Sequence, residues 1–339
     1  MKAPTKKAIE QVKSSSLTLC FVVCAAGLLP LLTACKDNFD PRAPLDQQMV
    51  VYSVLSTDRN AQIVRVQQSY MPSAFDPTSY NSDNSVNAIV TLKASNGMYL
   101  FHDTLLIQSD TSRYKFPLRA FTLNAFTPQW GETYQIVVQS ADYGIATSSV
   151  TIPGQSRITV SAIVEDVVQH PEKYPLDTPM LFLVQLSGVS KGFVGRLLLY
   201  YNVLRGAKWT EERVEIPSSS ADTANYSLDF PKYPELAVTP STSQIALYYR
   251  NGYFRAILNQ VNARYQSNRL VFKWATFVVM QADGNLFEYY TSAHAGLDPH
   301  SIRLDEPLVS KVSGGLGVVG AYSLDSTVTL LPGNFLGNR

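Results

Sequence analysis

Short runs of β-branched and aromatic residues recur along the chain from Met49 onward, separated by turn residues at intervals of about ten residues. Examples are the runs at 49–55, 86–92 and 132–138. After the second run, Asn96-Gly97 favours a type I′ turn, because both central residues of that turn need positive φ. This spacing is typical of antiparallel sandwiches, so we expect a mainly β fold.

Pro153-Gly154 interrupts the series of strands and predicts a boundary between two β-sandwich-like domains. We expect an N-terminal domain at 49–153, of immunoglobulin-like or transthyretin-like type, and a larger C-terminal sandwich at 154–332. Residues 333–339 are expected to form a tail. The segment Arg157–Val164 is rich in β-branched residues and is interpreted as the first strand of the second domain.

One short helix is predicted near the C-terminus, from Asn285 to His294. Asp283-Gly284 precede it, and its apolar residues recur at the spacing of a helix face: Leu286, Tyr289, Tyr290 and Ala293.

The N-terminus has the layout of an export signal. Basic residues lead into an apolar run from Leu17 to Leu32, and the small residues Thr33 and Ala34 then precede Cys35. The sequence Leu32-Thr33-Ala34-Cys35 resembles the lipobox of bacterial lipoproteins. It predicts a signal peptide at 1–34 that is cleaved after Ala34, a diacylglycerol on the Cys35 thiol and a lipidated tether at 35–48.

Two alternatives to the lipobox remain open: a transmembrane anchor and an ordinary cleaved signal. The run Leu17–Leu32 is shorter than the roughly 20 apolar residues of a spanning helix, which disfavours the anchor. Cys20 and Cys24 would leave with the signal, so Cys35 would be the single cysteine of the mature chain, without a disulfide. Lipidation explains that lone thiol.

The charge balance disfavours a nucleic-acid partner. The whole chain has 28 basic and 27 acidic residues. The signal removes four lysines and Glu10, which leaves 24 basic and 26 acidic residues in the mature chain. A nucleic-acid-binding surface would need a basic excess.

Four motifs stand out behind the lipobox: Asp283-Gly-Asn-Leu-Phe-Glu-Tyr-Tyr290, Glu306-Pro-Leu308, Gly314-Gly-Leu-Gly-Val-Val-Gly-Ala321 and the turn Gly131-Glu-Thr-Tyr134. With these motifs, most of residues 35–332 resembles a Bacteroidota lipoprotein family catalogued as domain of unknown function 4249. Val319 departs from it, since members usually have an aromatic residue there. The resemblance implies an outer-membrane lipoprotein whose genes often lie near TonB-dependent transporters.

Two motifs could carry chemistry, and a plainer interpretation is favoured for each. His294, Asp298 and His300 could hold a divalent metal, but Gly296 and Pro299 favour a solvated loop, so no metal site is expected. The pattern Gly315-x-Gly317-x-x-Gly320 matches a dinucleotide fingerprint, but no helix is predicted after it. A bulged strand or tight turn is expected instead.

Aromatic residues are the remaining candidates for binding a ligand or a protein partner. Three tyrosine doublets and two tryptophans stand out: Tyr200-Tyr201, Tyr248-Tyr249, Tyr289-Tyr290, Trp130 and Trp209. In a strand, one ring of each doublet enters the core while the other faces out. We select Tyr249, Tyr290 and Trp209 as candidate binding residues, with ordinary strand composition as the alternative.

The sequence therefore favours a non-catalytic protein without a cofactor, because no local catalytic motif is present. Our first hypothesis is a binding or accessory component of an outer-membrane uptake system, partnered by the membrane and a TonB-dependent β-barrel transporter. The alternative is a structural or adhesive envelope protein, and an enzyme on a β scaffold is a third. Lys36-Asp37 resembles short export signals of surface lipoproteins, so the cell surface is favoured over the periplasmic face.

Overall fold

The computed structural model describes residues 46–69, 84–106, 118–218, 228, 235–265, 269–294, 310–332 and 335. The predicted signal peptide, Cys35 and nearly all of the tether lie outside this range. Gln47–Arg339 form one compact unit. Among the described residues, no helix has both the length and the apolar character needed to cross a membrane.

Within the described ranges the chain forms sixteen strands and three α-helices, which confirms the mainly β prediction. The strands are β1 (Met49–Ser56), β2 (Ala61–Gln68), β3 (Ile89–Ala94), β4 (Gly97–Leu100), β5 (His102–Leu106), β6 (Leu118–Asn124), β7 (Thr133–Ser140), β8 (Gly144–Thr151), β9 (Arg157–Val160), β10 (Pro179–Gln185), β11 (Gly192–Arg205), β12 (Lys208–Ile216), β13 (Ala237–Val238), β14 (Gln244–Arg250), β15 (Leu270–Ala282) and β16 (Leu316–Leu330). The helices are α1 (Ala162–Gln169), α2 (Asn251–Arg264) and α3 (Gly284–His294), with a 3₁₀ turn at Pro171–Lys173.

A large mixed sheet runs through the compact unit in the order β12-β11-β15-β16-β1-β2-β6-β5, with β13 paired to β11. β1 and β16 pair in parallel, whereas the other neighbours pair antiparallel. Two smaller sheets, β4-β3-β7-β8 and β14-β10-β9, complete the described strands. We call them the N-terminal and C-terminal cover sheets.

Both cover sheets pack on the same face of the large sheet. The N-terminal cover sheet shares one core cluster with β1, β2, β6 and two residues of β16, Val319 and Ala321. The C-terminal cover sheet shares a second cluster with α1, α2, β11 and β15, including Phe277 and Val279. On β16, the residues Val319, Ala321, Asp325 and Thr327 are an even number of positions apart, so their side chains lie on one face of the sheet. Phe277 and Val279 of β15 lie opposite Thr327 and Asp325, so they lie on that same face. The layered, sandwich-like arrangement follows from this shared face.

The segment at the predicted domain boundary is bonded to the large sheet. The Gln281 side chain, which is fully buried, donates to the Gly154 carbonyl at 2.9 Å. The Asp325 carboxylate accepts a hydrogen bond from the Ser156 N–H at 2.7 Å. The two core clusters divide near this point in the chain, but β16 pairs both with β1 of the first cluster and with β15 of the second. The boundary near Pro153 stays a prediction.

The predicted C-terminal helix is confirmed, since α3 spans Gly284–His294. The expectation for Arg157–Val164 was only half right, because the strand ends at Val160 and α1 begins at Ala162. Val164, Val167 and Val168 form the buried face of α1, so packing overrides the β preference of valine there. The helix α2 was not predicted at all; its buried residues include Phe254, Ile257 and Val261.

Candidate binding surface

Tyr249 is a core residue. Its side chain is 1% exposed, packs edge-on against Phe182 and Phe277, and donates a hydrogen bond from its hydroxyl to the Gly195 carbonyl at 3.2 Å. Burial raises the pKa of this hydroxyl far above its ordinary value. A ligand in solvent therefore has no access to this ring, and Tyr248, 46% exposed, is the member of the doublet that faces out.

The other two selected residues lie on separate elements. Tyr290 is half-buried on α3, next to Tyr289, whose ring meets Tyr52 edge-on at 6.3 Å. Trp209 lies at the start of β12 and is 46% exposed. The fold thus places Tyr249, Tyr290 and Trp209 in a cover sheet, a helix and the edge of the large sheet, and does not assemble them into one site.

Asp283 joins α3 to β16. Its carboxylate accepts hydrogen bonds from the N–H groups of Asn285 at 3.1 Å and Leu286 at 3.0 Å, which caps the start of the helix. The same carboxylate accepts a bond from the Ala321 N–H at 2.8 Å. The Asn285 side chain then donates to the carbonyls of Ser149 and Val319 at 3.0 and 2.9 Å. The Asp-Gly-Asn motif is therefore a structural junction.

The glycine-rich run meets this junction from the other side. A Cβ at Gly320 would lie 2.7 Å from the Leu286 Cβ, and one at Gly317 would lie 2.2 Å from the Val51 carbonyl oxygen. Gly317 also has φ +107°, which side chains rarely adopt. The run leads directly into β16, as the sequence analysis expected for a strand, and no helix follows it within the described residues. The dinucleotide interpretation does not fit this geometry.

The candidate metal ligands cannot be assembled from the described residues. His294 ends α3, while Asp298 and His300 lie outside the described ranges. Within those ranges, no group of three or more histidine, cysteine, aspartate or glutamate residues is arranged to hold a metal ion.

The face of the large sheet opposite the cover sheets, beyond the part that α3 contacts at Gly192 and Gly320, carries a row of aromatic and apolar side chains. Strand register places Arg213 opposite Tyr200, Tyr200 opposite Trp274, and Trp274 opposite Leu330, across β12, β11, β15 and β16. The Tyr200 and Trp274 rings stack with centroids 5.5 Å apart. The neighbouring residues Leu199 and Tyr201 belong to the core, so Tyr200 faces away from it.

Further apolar side chains extend this row along the same face. Val328 lies two residues before Leu330 on β16, and Trp209 lies four residues before Arg213 on β12. Both side chains therefore lie on the same face as the row. We call Trp209, Tyr200, Trp274, Val328 and Leu330 the aromatic strip. Leu330 is 67% exposed and Val328 53% exposed. Large apolar groups exposed side by side mark an interaction surface, whereas isolated ones need no explanation.

Charged groups border the aromatic strip. The Arg213 guanidinium lies 3.4 Å from the Tyr200 hydroxyl and can donate to it. On the same face of β11 and β12, the Arg196 guanidinium pairs with the Glu215 carboxylate at 2.6 Å. Burial raises the pKa of Glu215 in spite of this pairing with Arg196. A predominantly apolar centre with a charged border is the usual composition of a protein interface.

Part of the aromatic strip is predictable from the sequence. The Tyr200-Tyr201 doublet and Trp209 are among the aromatic candidates above, whereas Trp274 is not. Tyr200 lies opposite Trp274 in the register that runs without a break from Gly192 opposite Ala282, and the register shifts only after this pair, between Tyr200 and Tyr201. The register of strands that are far apart in sequence is set by tertiary packing, so alternation alone does not predict which rings become neighbours.

Comparison with known proteins gives one family match. The sequence pattern of a family described as "Domain of unknown function (DUF4249)" matches residues 36–327. No curated protein matches the chain. Among solved structures, a match is trypsin activated alpha-2-macroglobulin from Escherichia coli, at 10% identity and a TM-score of 0.19. That match covers 70% of this chain and 15% of the other, so this chain spans a small part of that protein.

Proposed function

The chain belongs to this family, described as "Domain of unknown function (DUF4249)", and from that premise we propose that it is an exported, lipid-anchored accessory protein of an outer-membrane uptake system. It is held on the outer membrane by lipid on Cys35, at the cell surface. Its partner is a β-barrel transporter of the TonB-dependent type, and its role is to bind and position rather than to catalyse.

The observation that carries this proposal is the aromatic strip. Its stacked rings, exposed aliphatic side chains and bordering arginine have the composition of a protein contact surface, in which tryptophan, tyrosine and arginine contribute most of the affinity. The strip crosses four strands of a sheet rather than lining an enclosed pocket. A broad sheet face suits a folded partner better than a small ligand.

The proposal is tested by photocrosslinking from the strip in the native membrane. We would replace Trp209 with a photoreactive p-benzoylphenylalanine, irradiate intact cells and purify the tagged lipoprotein in mild detergent. The expected product is a one-to-one adduct with a β-barrel transporter. The matched control carries the same group at Met98, which is 65% exposed on the N-terminal cover sheet and should give little adduct.

Two results would contradict the proposal. The first is equal crosslinking from Met98 and Trp209, which would indicate random collisions in the membrane. The second is recovery of no transporter from Trp209, combined with a deletion strain that grows normally on all nutrients but loses surface attachment. That second outcome would support the structural or adhesive alternative.

A further inference from the structure

A cleft separate from the aromatic strip lies between α2, the loop before β10 and the end of β12. Its volume is about 410 Å³, and it is lined by Leu176, Asp177, Pro217, Arg250, Gly252, Tyr253, Ala256, Ile257 and Gln260. Small-molecule sites in proteins usually range from about 300 to 1,000 Å³. The cleft is therefore large enough for an amino acid or a dipeptide, and too small for a folded partner.

The wall of the cleft that carries Asp177 is fixed by Asn251. This residue is fully buried, and its side-chain amide nitrogen lies 2.9 Å from the Pro171 carbonyl, 3.0 Å from that of Tyr174 and 3.1 Å from that of Pro175. The Asn251 backbone N–H donates to the Thr178 carbonyl at 3.0 Å. These bonds hold the loop against the start of α2 and make the cleft a preformed feature.

Gly252 allows the loop to approach α2 closely. Its N–H donates to the Leu176 carbonyl at 2.7 Å, and a Cβ at this position would lie 3.0 Å from the same oxygen. Leu176 and Asp177 are consequently held at the mouth of the cleft, where both are exposed. Ile257 and Pro217, both buried, supply apolar lining.

Two opposite charges share this cleft. Arg250 is directly opposite Pro179 in the β10–β14 register, so it lies at the same strand end as Asp177. Across the described part of the chain, neither Arg250 nor Asp177 forms an ion pair or a side-chain hydrogen bond. The cleft thus offers a guanidinium and a carboxylate that have no side-chain partner among the described residues, together with apolar walls between α2 and the loop.

We propose that this cleft binds a small zwitterion with an apolar side chain, either a free amino acid or a dipeptide. The ligand carboxylate pairs with the Arg250 guanidinium, which is suited to two-point recognition of carboxylates. The ligand ammonium pairs with the Asp177 carboxylate, and the side chain packs against Leu176, Pro217 and Ile257. The site lies apart from the aromatic strip, so it stands or falls independently of the transporter proposal.

Isothermal titration of the purified full-length lipoprotein in detergent tests the site, with leucyl-leucine and free leucine as the probes. We expect saturable binding of at least one of them. Arg250→Gln and Asp177→Asn should each weaken it about tenfold or more, because each removes a charge-assisted pair. The control Arg255→Gln alters an arginine of α2 that does not line the cleft, and should leave binding unchanged.

Modified probes separate the two charge contacts. N-acetyl-leucyl-leucine lacks the ammonium and leucyl-leucine amide lacks the carboxylate, so both should bind at least tenfold more weakly than leucyl-leucine. Tighter binding of leucine than of leucyl-leucine would identify a free amino acid as the ligand, and the reverse order a peptide. Absence of binding by both at millimolar concentration would overturn the proposal. So would affinity that is unchanged by both Arg250→Gln and Asp177→Asn.

Discussion

Asp283 shows how a single buried carboxylate can connect two elements. Its side chain is 5% exposed, yet it satisfies two N–H groups at the start of α3 and one on β16. Burial raises the pKa of this carboxyl above its ordinary value, and the three backbone N–H bonds offset only part of that effect. The residue that opens the family-like motif therefore owes its position to backbone hydrogen bonding.

Replacing Asp283 with alanine should lower the free energy of unfolding by about 2–4 kcal/mol, since three buried N–H groups lose their acceptor. Because the folded pKa is raised, the native state binds protons more readily than the unfolded state between the ordinary and the raised pKa. The contribution of Asp283 is thus largest below its ordinary pKa and decreases as pH rises through the folded pKa.

Urea unfolding of the purified protein and of Asp283→Ala at several pH values between about 4 and 7 measures this effect. The stability difference between the two proteins should narrow as pH rises. A difference that widens with pH would show that the N–H bonds to the charged carboxylate outweigh its burial.

At the scale of elements, α3 and β16 are shaped to fit each other. The helix lies against Gly320, and the Phe287 ring lies where a Cβ on Gly192 of β11 would be, at 2.4 Å. Glycine is therefore needed on two strands of the large sheet, at Gly320 on β16 and at Gly192 on β11. This explains in physical terms why Asp283-Gly-Asn and the glycine-rich run occur together in one sequence.

Gly320→Ala should destabilise the fold by about 1–3 kcal/mol, because its Cβ would overlap Leu286 on α3. The matched control is Gly284→Ala at the start of α3, where the new Cβ would meet only the Lys191 Cγ at an ordinary 3.6 Å. That control should be neutral or slightly stabilising, since alanine favours a helix more than glycine does. Thermal unfolding compares the two variants, and equal loss in both would refute the packing explanation.

The elements also show what the sequence could and could not predict. The strand series and α3 were predictable because their signals are local: alternation in β2, for example, and helical spacing in 286–293. α1 was missed because its valines favour strands and become helical only when packed on the core. The cleft could not be predicted, because Asp177 and Arg250 are brought together only by the pairing of β10 with β14.

At the scale of the whole molecule, β16 ties the two halves of the chain together. It pairs with β1 from the start of the described chain and with β15 from its last third. The parallel pairing with β1 joins strands separated by most of the sequence, and such long-range pairing has no local signature. Local strand spacing therefore cannot show that one sheet contains strands from both predicted domains.

The proposed lipid anchor at Cys35 lies close in sequence to β1. β1 begins at Met49, so Cys35 precedes the first described strand by 14 residues, and a lipid there would leave the aromatic strip and the cleft unmodified. Two or more acyl chains hold a protein durably on a membrane, because each buried methylene contributes about 0.8 kcal/mol. Anchoring should thus depend on this single thiol.

Radioactive palmitate labelling of growing cells tests this dependence, with Cys35→Ser as the variant and Cys24→Ser as its matched control. Cys24 lies within the predicted signal peptide, so the control should keep the label and remain in the membrane fraction. Cys35→Ser should lose the label, because a serine hydroxyl cannot form the thioether to diacylglycerol. A labelled, membrane-bound Cys35→Ser protein would exclude lipidation at this residue. The N-terminal segment would then be explained by a transmembrane anchor or by an ordinary cleaved signal.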